Sequence, residues 1–180
     1  MRYVSIIAVF SIIAIGLVVG STAYAQPYGA GTYGSNVPYG SETSLSISAT
    51  AAVNLSLSPS TSGTLGTASG PVVVTSTDVV GYKLYIRAVG STDMTTGVGS
   101  IPASANVSTA PLALNTWGYN TTGTTDFLGI TTSDVLIKTG NGPFSTGDTT
   151  TVTYGLNIDR SKAAGTYTST IIYTAVPQTD

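Results

Sequence analysis

Residues 44–58 read "SLSISATAAVNLSLS". The odd positions are Leu45, Ile47, Ala49, Ala51, Val53, Leu55 and Leu57. The even positions are Ser44, Ser46, Ser48, Thr50, Ala52, Asn54, Ser56 and Ser58. Successive side chains of a strand point to opposite faces, so this period of two makes one greasy face and one hydroxyl face. The stretch predicts a half-buried strand, or two strands meeting near Ala51.

The same pattern returns downstream. "PVVVTST" (71–77) predicts a short strand opened by proline, a position where proline is tolerated. "GYKLYIRAV" (81–89) alternates, with Tyr82, Leu84, Ile86 and Ala88 inward and Lys83, Tyr85 and Arg87 outward. Residues 90–111 are rich in Gly, Ser and Thr and read as loop. "DVLIKTG" (134–140), "TTVTYGLNID" (150–159) and "GTYTSTIIYTAV" (165–176) complete the strand candidates. The link "RSKAA" (160–164) suits a loop or one helical turn. No run of ten or more residues after position 25 has a 3.6-residue period. The prediction is all-β: an Ig-like or Greek-key sandwich of about seven to nine strands. In such folds a tyrosine at the start of a late strand caps a corner with its hydroxyl, and Tyr167 is assigned that structural role.

Upstream the composition changes. Arg2 precedes the apolar run "VSIIAVFSIIAIGLVVG" (4–20), and Ala23 and Ala25 form an A-x-A site before Gln26. These are the parts of a secretory signal peptide. An uncleaved membrane anchor is the competing reading, since the run is near the lower length of a spanning helix. "QPYGAGTYGSNVPYGSET" (26–43) reads as a flexible Gly/Pro/Tyr tether. The organisation expected is a signal peptide at 1–25, a tether at 26–43 and a sandwich domain at 44–180.

A chain starting at Gln26 carries five basic residues against eight acids, a net charge of −3. Without a basic patch it is not expected to bind nucleic acid. Only 8% of residues are charged, so water must be met by hydroxyls, and Ser plus Thr number 53 of 180. Cysteine is absent. A domain of this size buries about two thirds of its unfolded surface and does not need disulfide staples.

The chain has no histidine, which removes Ser-His-Asp and Cys-His chemistry. No lysine sits in an S-x-x-K pattern. The one glutamate, Glu42, falls in the tether, and the aspartates are scattered as turn-formers are. The chain is therefore expected to be non-catalytic and without cofactor. "STGDTT" (145–150) and "TTDFLG" (124–129) are loops where Asp148 or Asp126 could meet calcium, though neither has EF-hand spacing. Three glycosylation sequons begin at Asn54, Asn106 and Asn120.

"NTWGYN" (115–120) holds the one tryptophan. Trp117 and Tyr119 are two apart and share a strand face; with Tyr85 they could make a flat platform for stacking on sugar. The competing reading places Trp117 in the core, where its large apolar area is best used.

"GYKLYIRA" (81–88), "NTWGYN" (115–120) and "VTYGLNIDRSKAAGTYTSTIIYTAV" (152–176) resemble exported bacterial β-sandwich domains, namely WxL-like surface domains and related cell-envelope proteins. The resemblance covers most of 44–177. The WxL pattern has two Trp-x-Leu motifs, whereas here Trp117 is followed by Gly118 and Tyr119 and no second Trp exists. The closing strand also resembles the end of exported pilin-like subunits. The resemblance implies a secreted or cell-surface domain of the bacterial envelope. Its implied partners are cell-wall or surface polysaccharide, or neighbouring surface proteins. Three functions follow: a structural or adhesive surface domain, a homo-oligomeric fibre subunit joined by strand addition, and a carbohydrate-binding module.

Overall fold

The structure, a computed structural model, describes residues 44–77 and 79–178, together with the backbone path of residues 6–16. The tether at 26–43 and the A-x-A site lie outside the described residues. The fold is all-β, with no helix among the described residues. Among the described residues eleven strands form two sheets.

The stretch 44–58 divides as its middle suggests. β2 (Ser44–Ala49) lies in one sheet and β3 (Ala52–Leu57) in the other, with Thr50 and Ala51 crossing between them. The odd residues face inward in both, Val53 and Leu55 being buried. One chain segment thus contributes a strand to each layer without losing its face alternation.

The four-stranded sheet has the order β2-β4-β10-β8, and all its pairs are antiparallel. β4 (Thr64–Thr77) begins seven residues before Pro71, earlier than its sequence suggests. "TLGTASG" has little strand propensity of its own. It is held extended by pairing along β10 (Phe144–Ile158). Pro71 is tolerated because the β2 ladder ends at Val72, and the further bond on that side, from the Thr50 N–H at 3.4 Å, goes to the Pro71 carbonyl and needs no donor from proline. β8 (Thr116–Asn120) lies on the other side of β10.

The larger sheet has the order β3-β1-β11-β5-β9. Here β1 is Ile6–Gly16, β5 is Gly81–Ala88, β9 is Val135–Asn141 and β11 is Gly165–Gln178. A short hairpin of β6 (Met94–Thr96) and β7 (Gly99–Ile101) attaches to β11. Ten of these strands fall within 44–178, and the all-β sandwich expected of that segment is the fold found. Three-residue strands are too short to show a period, so 90–111 reads as loop although Met94 and Ile101 are paired and buried.

The two inner faces meet in one core. Val72, Val74, Val152 and Leu156 from one sheet pack with Leu84, Ile86 and Ile171 from the other. Each such side chain contributes about 1.5–3 kcal/mol on burial.

Candidate functional site

"NTWGYN" is an interior element. Trp117 is 0% exposed and Tyr119 is 1% exposed. The Trp117 indole Nε1–H donates to the Thr92 carbonyl at 3.0 Å, so the ring is anchored as well as enclosed. Its backbone pairs with Leu156 on one side and with Pro102 and Ser104 on the other. Gly118 lies where a Cβ would come 2.4 Å from the Leu128 carbonyl oxygen, which explains the small residue between two aromatics. Asn115 opens the stretch at φ 63°, a left-handed turn that asparagine tolerates. Tyr85 lies on β5 of the other sheet, in the outer row with Lys83 and Arg87. The sugar platform of Trp117, Tyr119 and Tyr85 is thus not assembled. Two of the rings are inside the sandwich with no face to offer, and the third looks outward from the opposite layer.

The inner polar groups tie the sheets together. The hydroxyls of Tyr154 (β10) and Tyr173 (β11) meet at 2.6 Å across the core. Burial, and then the neighbouring Tyr173, holds the Tyr154 phenol well above its ordinary pKa. Burial alone pushes Tyr119 up to about 12. Tyr167 is buried, and its hydroxyl donates to the Ala163 carbonyl at 2.9 Å, across the link between β10 and β11.

A second tie lies near the bulge of β10. Asp148 accepts from Lys138 Nζ at 2.6 Å and from the Tyr82 hydroxyl at 2.8 Å. Burial works to raise the Asp148 carboxyl, but the bonds from Lys138 and Tyr82 outweigh it and hold it below the ordinary carboxylate value. The stability this contributes is present above that ordinary value and is lost as pH falls through the lowered one. Asp148→Asn is expected to flatten the acid limb of a melting-temperature profile taken between pH 2 and 6. An unchanged limb would remove this tie from the acid response.

The other loop features are also internal. The Asn106 side-chain amide donates to the carbonyls of Ala110, Pro111 and Phe127, and that of Asn120 to those of Thr124 and Asp126. Of the three sequon asparagines only Asn54 is exposed. Among the described residues no three carboxylates gather around one point. A polar depression of about 180 Å³ beside Asp93 is lined by Val89, Thr95, Thr168, Ser169 and Thr170 among others.

The most unusual geometry is in the large sheet. β1 lies between β3 and β11, antiparallel to the first over Ile6–Ser11 and parallel to the second over Ile6–Gly16. It is the one parallel pairing between named strands of the described residues. β3 has no other partner in its sheet. Without β1 a groove opens between β3 and β11 over the six positions Ile6–Ser11, about 20 Å long, and β11 alone borders the next five. Its walls would carry unpaired backbone groups of both strands. Unpaired strand edges in general can take up an extended chain through main-chain hydrogen bonds. No sequence pattern marks the groove, since it arises from strands more than a hundred residues apart.

The chain matches no protein-family model, and no curated protein is similar to it.

Proposed function

We propose that this chain is an exported, non-catalytic structural protein of the bacterial cell surface whose copies join by strand addition. The observation that carries this reading is the position of β1. The strand completing the large sheet comes from Ile6–Gly16, inside the segment expected to be removed on export. A processed chain beginning at Gln26 has lost it and must close the gap with another strand. A neighbouring copy is a ready source, and head-to-tail donation generates open filaments.

The sequence agrees with this. Hydroxyl-rich outer strands keep the sandwich wet without charge, and the resemblance to WxL-like, cell-envelope and pilin-like domains points to the same compartment. Cell-wall polysaccharide as partner has less support, because Trp117 and Tyr119 are enclosed. The chain from Gln26 onward is expected to sediment as a ladder of oligomers and to show filaments by electron microscopy. A folded chain that stays strictly monomeric would contradict strand addition.

A further inference from the structure

Two features of the gap indicate that the apolar run at residues 6–16 is a poor match for it. First, β1 has no alternation. Its positions 7, 9, 11, 13 and 15 are Ile, Val, Ser, Ile and Ile. Ile7 and Val9 stand in register with the exposed residues Thr166, Thr168, Ser56 and Asn54, whereas Ile13 stands opposite the buried Ile172. A strand native to that end of the sheet would be polar or small at positions 7 and 9. Second, the Ser169 hydroxyl is buried and has no hydrogen-bond partner, and its register partner on β1 is Phe10.

We propose that the native occupant is the arm at residues 26–43 of a second copy, running parallel to β11 with residues 29–39 in the eleven positions. This rests on strand addition as proposed above and names its donor. The arm is composed as a spacer, yet its parity suits the gap. From 29 to 39 its large side chains, Tyr33, Val37 and Tyr39, fall on odd positions. Between them come Ala30, Thr32, Gly34, Asn36 and Pro38, small or polar throughout. In this register Gly31 takes the place of Ala8 opposite Tyr167, and Tyr33 takes the place of Phe10. Tyr33 and Ser35 bring hydroxyls to the wall that holds Ser169. Thr32 falls between Asn54 and Thr168 on the wet face. Pro38, which cannot donate to a ladder, falls beyond the six positions that β3 covers, where only β11 is alongside.

Four residues, 40–43, then separate the donated strand from β2. They span at most about 14 Å. For the arm to enter its own gap, those four residues must reverse the chain between the two sheets. Entry into a neighbour lets the chain continue straight on, and short hinges of this kind favour exchange between copies.

Because the chain contains no cysteine, single thiols report the pairing cleanly. Two versions of the chain from Gln26 are mixed, one carrying Thr32→Cys and the other Thr168→Cys, and treated with a short bis-maleimide. Both positions lie on the outer row, and Thr168 is exposed, so folding is preserved. Covalent dimers joining the two versions are the expected result. A chain carrying both substitutions is expected to give a ladder. If that chain instead links only within itself, the arm closes its own gap and the proposal fails. Filaments without cross-links would show that some other strand is donated, which overturns this inference and leaves strand addition standing. Neither filaments nor cross-links would overturn both.

Discussion

Replacing Trp117 with alanine is expected to cost about 3–5 kcal/mol of folding stability, the range for deleting a large buried aromatic. The ring is 0% exposed and packs where β8, β10 and the 102–104 segment converge. Collapse around the hole is restricted, because its backbone is hydrogen-bonded on both sides. The substitution also leaves the Thr92 carbonyl without the indole donor. For a chain of this length each kcal/mol lowers the melting temperature by about 2–4 °C. Tyr85→Ala, on the outer row of the other sheet, is the control and is expected to change stability by about 0.5 kcal/mol or less. Chemical denaturation of both variants checks this. A Trp117→Ala chain with wild-type stability and lost glycan binding would restore the stacking-platform reading.

The second large effect belongs to the tyrosine pair. Tyr154→Phe removes one partner of a 2.6 Å hydroxyl–hydroxyl bond and leaves the Tyr173 hydroxyl buried without it. Stranding a buried polar group costs about 1–3 kcal/mol, whereas removing both partners can be nearly neutral. Tyr154→Phe with Tyr173→Phe is therefore expected to be less destabilising than the two single costs added together. A double-mutant cycle measured by denaturant unfolding gives the coupling, and simple additivity would mean the bond ties nothing. The same pair sets an alkaline limit. Burial raises both phenols, so the fold favours their neutral forms. Their contribution is complete below the ordinary phenol value of 10.0 and is lost as pH rises through the raised ones. Unfolding is expected to become easier above about pH 10 in wild type, and less steeply so in the double variant.

Much of the sandwich was legible because its strands advertise themselves through face alternation. Leu45 to Leu57 and Tyr82 to Ala88 can be assigned inward or outward from spacing alone. The crossing at Thr50 and Ala51 is marked only by a loss of bulk. Where pairing rather than local preference makes the strand, the sequence is silent. The first half of β4 is extended because β10 runs beside it, and β6 and β7 are too short to carry a period. Trp117 as a core residue follows from its size, but its bond to Thr92 depends on a loop whose path nothing local specifies. The gap between β3 and β11 is the extreme case. Val53 and Ile171 each look like ordinary core residues, and only the sheet order shows that β1 stands between their strands. The apolar run at 4–20 reads by composition as an export signal, whereas its residues Ile6–Gly16 form a β-strand.

Amide hydrogen exchange along β11 tests the central claim most directly. In the chain beginning at Gln26 the strand Ile6–Gly16 is gone, so one side of β11 is bare unless another strand replaces it. Alternate amides between Gly165 and Ala175 are expected to exchange slowly in the assembled protein and quickly in subunits dissociated from it. Equally fast exchange in both states, with β5 still protected, would mean that nothing fills the gap and would contradict the account.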